Sequence, residues 1–238
     1  MAYNGFITYN NIASSAYPLT MTAPPQTTRP ELITEEYTIP GRNGKLYGVD
    51  SYQGSAQITI NLALVADDTF TNQVSAYTVA YRQVRQWLRG TGRLIISDAP
   101  DAFYEVQKVE IITDERLILR YGNLQAVFTV YPVEFLTSGE TAIAAGTINN
   151  PGSEAAPLYK ITGTGSGVLT VNGKTMSYTA AGVLFIDTRR FIAYDGSGNN
   201  KNNQVAGDYL NLRLQPGENT VAATAGTLAI YPRWGFDI

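Results

Sequence analysis

Few residues of this chain could do chemistry, and their spacing decides what they do. Gly163, Gly165 and Gly167 precede Gly173, Lys174 and Thr175, an arrangement that approaches a phosphate-binding loop. Five residues separate Gly167 from Gly173 where that pattern needs four. Val168 to Val171 alternates like a strand, and no helix follows to offer its N-terminus to phosphate. Asn172-Gly173 reads instead as a two-residue hairpin turn. Asp195 to Asn200 has the oxygen ligands and glycines of a calcium loop. It lacks the glycine at the sixth position and the closing glutamate, which leaves a polar, flexible loop as far as Gln204. Asp98 with Asp101, or Glu35 with Glu36, could be nominated as a glycosidase pair. The aspartates are explained by the turn they make around Pro100, and adjacent glutamates on a strand point to opposite faces. The chain has no histidine and no cysteine. That composition removes Ser-His-Asp and Cys-His catalysis, imidazole and thiolate metal sites, and disulfides. The expectation is no enzyme, no cofactor and no metal.

The wider composition narrows the partners. A net charge of −3 over 238 residues, with no basic patch, argues against specific nucleic-acid binding. No stretch approaches eighteen apolar residues, so no membrane insertion is expected. Met1 to Tyr9 lacks the basic and apolar regions of a secretory signal. The 16 tyrosines suit an interface, but tyrosine also stacks on sugars, so they do not separate an assembly subunit from a sugar binder.

One convincing helix is expected over about 69–89. Val74, Tyr77, Tyr81, Val84 and Leu88 recur at helical spacing. Asp67, Asp68 and Thr69 offer N-cap oxygens, Arg82, Arg85 and Arg89 suit the C-terminal dipole, and Gly90 and Gly92 can end the helix. A second face, Ala76, Val79, Ala80, Gln83 and Trp87, is also apolar. Either the helix is buried on two sides within its own domain, or this face meets another subunit. Gln57 to Val65 is the cleanest strand, with Ile58, Ile60, Leu62 and Leu64 on one side, and the helix is its natural cover. Ala23 to Pro30, including Pro24, Pro25 and Arg29, reads as an extended exposed loop, either a plain connection or an arm that reaches a neighbour.

Further strands are expected at Gly5 to Tyr9, Tyr17 to Met21, Leu94 to Ile96 and Phe103 to Ile112. In the last, the inward side shifts after Lys108 as at a bulge. Leu117 to Tyr121 and Gln125 to Tyr131 follow, joined by a turn at Gly122-Asn123. The composition changes after Thr137 to small residues and glycine, placing a domain boundary near Ser138 to Glu140. From Pro157 short strands and turns recur about every ten residues, a sandwich signature. They are Leu158 to Thr162, Val168 to Val171, Lys174 to Tyr178, Val183 to Asp187, Phe191 to Tyr194, Tyr209 to Leu214, Asn219 to Ala223 and Leu228 to Pro232.

Five segments in order carry a resemblance: Ile39 to Tyr47, Trp87 to Val106 (WLRGTGRLIISDAPDAFYEV), Asn150 to Pro157 (NPGSEAAP), Leu210 to Val221 (LNLRLQPGENTV) and Leu228 to Arg233 (LAIYPR). Together they resemble the distal tail protein family of long-tailed (siphovirus) bacteriophages over nearly the whole chain. The resemblance implies a mainly β (α+β) fold. Residues 1–138 would be a ring-forming β-sheet domain with one amphipathic helix, and 139–238 a galectin-like β-sandwich. It implies a structural virion protein made and assembled in the host cytoplasm. Its ring, hexameric in the family, would join tail tube protein to the tail-associated tip protein and dock receptor-binding or baseplate proteins. Galactoside binding does not carry over, because galectins use a histidine this chain lacks, and Trp234 lies outside any matching motif. The subunit-interface residues expected are Ala76, Val79, Ala80, Gln83, Trp87, Pro24, Pro25 and Arg29. The rival readings are a non-catalytic carbohydrate-binding module for host cell-wall polysaccharide and, further off, a glycosidase.

Overall fold

The computed structural model describes residues 5–238 except Ile39, Arg42, Asp68, Asn72 and Gln73, and backbone alone at Glu35, residues 46–52, Phe70 and Thr71. The chain forms two compact units, Met1–Glu134 with Ile238, and Phe135–Asp237. Each has its own apolar core.

In the first unit, β1 (Ile7–Tyr9) and β2 (Ile12–Ala13) turn on Asn10 and Asn11, both at positive φ. Then come β3 (Leu19–Met21), β4 (Gln26–Thr28), and a separate two-stranded ribbon of β5 (Leu32–Tyr37) and β6 (Leu46–Gln53). β7 (Ala56–Val65) precedes a short ribbon of β8 (Phe70–Thr71) and β9 (Val74–Ser75). Helix α1 (Ala76–Trp87), the only α-helix among the described residues, leads to β10 (Gly92–Ile96), β11 (Ala102–Ile118) and β12 (Tyr121–Leu136). The main sheet runs β2-β1-β10-β11-β12-β7-β3, with β4 beside β3 along the outer edge of β7.

Alternation builds the core of this unit. Ile58, Ile60 and Leu62 on β7 lie directly opposite Phe128, Ala126 and Leu124 on β12, and all six are buried. Tyr77, Ala80, Val84, Trp87 and Leu88 of the helix join the same core. Each large apolar side chain so buried contributes roughly 1.5–3 kcal/mol, which a twelve-residue helix needs to hold its shape.

The helix starts later than expected. Ser75, not Asp67 or Thr69, is its N-cap, its hydroxyl accepting from the amide of Thr78 at 3.4 Å. The short ribbon of β8 and β9 keeps the chain extended up to that point, so the acidic residues lie too far upstream. Asp68 lies outside the described residues, as do Ile39 and Arg42 of the segment 39–47. At the other end Gly90 takes φ 74°, the left-handed conformation that stops a helix.

The Gly122-Asn123 turn is also displaced. β11 turns into β12 at Leu119 and Arg120, and Gly122 and Asn123 are inside the strand, opposite Leu64 and Ala63. Glycine is needed at 122 for space: a Cβ there would stand 2.2 Å from the Tyr77 hydroxyl and 2.7 Å from the Glu115 carbonyl. On β11 the inward side does change, from Tyr104 and Val106 to Val109 and Ile111. Ala23 to Pro30 is exposed but not wholly a loop, since β4 pairs with Gln57 to Thr59.

The second unit contains β13 (Ile143–Ala144), β14 (Gly146–Asn150), β15 (Leu158–Val171), β16 (Lys174–Asp187) and β17 (Ile192–Asp195). β18 (Val205–Ala206), β19 (Gly217–Ala223), β20 (Thr227–Tyr231) and β21 (Gly235–Asp237) follow. Four of the expected short strands are really two long ones. β15 and β16 pair without a break from Leu158–Asp187 to Val171–Lys174. Gly163 and Gly182 face each other in that ladder at φ 151° and 108°, so the glycines bend the strands rather than end them. One half of the hairpin pairs with β20 and β17, the other with β19 and β18. The two layers close over a shared core that includes Tyr159, Ile161, Ile186 and Ile230 from one and Leu169, Val171, Met176 and Val221 from the other. Tyr209–Leu212, expected to be a strand, is a 3₁₀ turn started by Asp208, whose carboxylate accepts from the Leu210 amide. No helix among the described residues is long and apolar enough to cross a membrane.

Candidate functional site

The chemistry-bearing residues are consumed by structure. Asn172 and Gly173 form the two-residue turn of β15 and β16, at φ 50° and 78°. The Asn172 side chain donates to Asn219 Oδ1 at 2.8 Å and accepts from the Thr220 amide at 2.9 Å, which ties the turn to β19. Asp195 organises its loop. Oδ1 accepts from the amides of Ser197 and Asn199, the Asn199 side chain reaches both oxygens, and Lys201 lies 3.6 Å away. The Asn199 contacts, side chain first, pull this carboxyl down to about 2. The loop expected to be flexible is therefore built around one carboxylate. Glu36 pairs with Lys45, and Asp98 accepts from Ser97 in its turn. Among the described residues no group of three or more acidic side chains could hold a metal ion.

Two motifs of the second unit meet. Asn150, almost fully buried, donates through its side chain to the carbonyls of Ser153, Leu214 and Gln215. Glu154 accepts from Arg213 and Gln215, and Asn219 donates back to Gln215. The segments 150–157 and 210–221 thus form one polar clasp. A second clasp joins Asp187 to Arg233 through two hydrogen bonds, at 2.9 and 3.3 Å, with the Asp187 carboxylate 1% exposed.

The structure divides the expected interface residues. Trp87 is buried, its indole N–H donating to the Tyr9 carbonyl at 3.1 Å and its ring packed against Tyr9 and Tyr17. Ala80 is buried beside it and Ala76 half-buried against the same core. Of that face only Val79 and Gln83 are exposed. Pro24 and Arg29 are exposed and Pro25 is half-buried, flanking the outer edge of β4.

Surfaces that the spacing did not reveal lie nearby. Ile112, Leu117, Ile118 and Leu119 are each about half exposed or more at the far end of β11, and Leu32 and Ile33 are exposed on β5. Leu117-Ile118-Leu119 is a plain apolar run, and in sequence it looks like strand interior. Between α1 and β11 lies an open groove of about 430 Å³, lined by Leu88, Val109, Ile111 and Ile112 together with Arg85 and Arg89, its exposed surface mostly polar. Tyr81 crosses its wall and donates to Asp114. Burial, then that hydrogen bond, pushes the Tyr81 hydroxyl up to about 12. Arg116 braces the turn beyond, donating to the carbonyls of Ile118 and Leu119 and to the Ser75 hydroxyl, with its guanidinium 4.7 Å over the Tyr77 ring. The arrangement offers apolar area and fixed charge, without a nucleophile and base in reach of each other.

No family model matches the chain, and no curated protein matches it. Among solved structures it is similar to the crystal structure of SPP1 Dit (gp 19.1), titled a paradigm of hub adsorption apparatus in Gram-positive infecting phages. The TM-score is 0.73 at 13% sequence identity, over 96% of this chain and 98% of that one. The two chains share a fold from end to end, and the resemblance carried by the five sequence segments holds at that level.

Proposed function

We propose that this chain is a non-enzymatic hub protein of a bacteriophage tail, with a place in the virion at the distal end of that tail. The observation that carries the proposal is the match of both units, over nearly their full length, to the fold of a protein described as a hub of a phage adsorption apparatus. The first unit forms a ring, most simply of six copies, between tail tube protein and the tail-associated tip protein. The second unit, a galectin-like scaffold, docks receptor-binding or baseplate proteins. The division into these two units, near residue 135, serves these two roles. Support from the chain itself is the consumption of its polar side chains in turns and clasps, and the exposure of Ile112 and Leu117 to Leu119 on the first unit.

Light scattering on the purified chain, followed by negative-stain imaging, tests the reading. The expected result is a ring of several 25.9 kDa subunits, and antibody labelling of virions where tail tube meets tip. A chain that stays single at every concentration and is missing from that junction overturns it.

A further inference from the structure

The edges of the second unit are not alike. Of the eight strands that pair within it, β13, β14, β17 and β18 have a single partner each. An edge strand shows unpaired backbone donors and acceptors, and folded proteins shorten or cover such edges. β13 and β18 are two residues each. β17 is covered by the loop that follows it: the Lys201 amide donates to the Ala193 carbonyl, and the Ala193 amide donates to Asn202 Oδ1. β14 is the exception. It runs for five residues, Gly146–Asn150, with no charge and no proline among them.

The register fixes which backbone groups β14 leaves open. The Thr220 carbonyl accepts from the Asn172 amide, and the Thr220 amide donates to Asn172 Oδ1, so Thr220 turns its backbone groups to the β15 side. Successive residues of an antiparallel strand turn them opposite ways. Asn219 and Val221 therefore turn theirs to β14, where they stand opposite Ile148 and Gly146. It follows that Thr147 and Asn149 direct their N–H and C=O away from β19, and no described group bonds to them there. Their side chains are exposed, while Ile148 between them is buried in the core. The clasp at Asn150 fixes one end of the strand, so the open edge is held ready for a partner.

We propose that β14 is a docking edge, to which an extended segment of the receptor-binding protein adds as a further strand. This rests on the docking role given above to the second unit and supplies its contact. The occupant is polypeptide, because the edge offers a donor and acceptor at every second residue, the repeat that another extended chain matches. Alternation sets its chemistry. The residue beside Ile148 is apolar, since it prolongs the core layer, and those beside Thr147 and Asn149 carry hydroxyl or amide groups. β14 has no charge to pair, so the segment carries none in register with it. Gly146, Asn149 and Asn150 are weak strand formers, which disfavours pairing of this edge with copies of itself.

Amide exchange reads these bonds directly. In the purified full chain the Thr147 and Asn149 amides exchange freely, and the Ile148 amide between them is slow. In intact virions the exchange at 147 and 149 slows by about tenfold or more. Two variants separate backbone from side chain. Thr147→Pro with Asn149→Pro removes both outward donors and no ladder bond. Thr147→Lys with Asn149→Lys keeps the donors and guards the edge with charge. Virions made with either variant hold this chain in parental amount and lose the receptor-binding protein by about tenfold or more. Thr147→Ser with Asn149→Gln, which keeps backbone and polarity, retains it. If the proline chain does not fold, the lysine pair and the exchange measurement decide. Exchange at 147 and 149 that is equally fast in virions overturns the proposal, as does a lysine variant that keeps the receptor-binding protein at parental level. Slow exchange at both positions in the purified chain also overturns it, since the edge is then filled by the chain itself. Each of these outcomes leaves the hub reading standing. A chain found in no virion ends both.

Discussion

Trp87 shows how a single side chain can look available from sequence and be spoken for in the fold. Its spacing with Ala76 and Ala80 marks an apolar face, but spacing cannot say whether that face turns inward. The structure turns it inward, under Tyr9 and Tyr17. Trp87→Ala should therefore cost roughly 3–5 kcal/mol in urea unfolding, through the cavity and the lost bond to Tyr9. A loss below about 1 kcal/mol would contradict the packing. Tyr81 predicts a pH effect. Its folded value, raised to about 12, lies above the ordinary 10, so the neutral hydroxyl is favoured by the fold. That contribution is fully present below pH 10 and is lost as pH rises through 12. Denaturation at a series of alkaline pH values should show stability falling over this window, with Tyr81→Phe flattening part of the fall. The remainder belongs to other tyrosines raised by burial, among them Tyr104 and Tyr159.

Elements were legible where one period governs them. Ile58 to Leu64 alternates because one side of β7 faces the core, and Tyr77, Val84 and Leu88 share a stripe because the helix lies on that sheet. Legibility failed where a residue answers to a distant neighbour. Gly122 next to Asn123 has the composition of a turn, yet it is glycine because Tyr77 and the Glu115 carbonyl leave no room for a Cβ. Gly122→Ala should destabilise by roughly 1–3 kcal/mol. The alanine variant should also blue-shift tyrosine absorbance if Tyr77 is pushed toward water. A neutral result would mean the strand sits farther from the helix than described. Gly163 and Gly182 misled in the same way: in a list of residues they mark breaks, while across a ladder they mark a bend. The exposed apolar surface was only partly readable, because exposure of Leu117 to Leu119 depends on where a hairpin ends, and nothing in those three residues encodes that.

At the scale of the whole molecule, two cores imply two cooperative transitions. Calorimetry should resolve which variant belongs to which. Trp87→Ala should lower one transition. Arg233→Ala, which strips the buried Asp187 of its cation, should lower the other by an amount equivalent to about 3 kcal/mol. If both variants shift a single transition equally, the units unfold as one. The clasp formed by Asn150 and Asn219 with the 210–221 segment explains why two stretches far apart in sequence both carry recognisable motifs: they are one structural part. That the pairing was unreadable follows from its length, since no local period links residues about sixty apart.

The β15–β16 hairpin has a bearing on the order of events as the chain becomes ordered. Its strands are joined by two residues, Asn172 and Gly173, so their contacts close with little loss of loop entropy. Every other strand added to its flanks must travel farther along the chain. The second unit should thus zip outward from that turn in microseconds and recruit β19 and β20 afterwards. An Asn172→Val, Gly173→Val chain would then refold slowly while unfolding at nearly the parental rate, the signature of a nucleus.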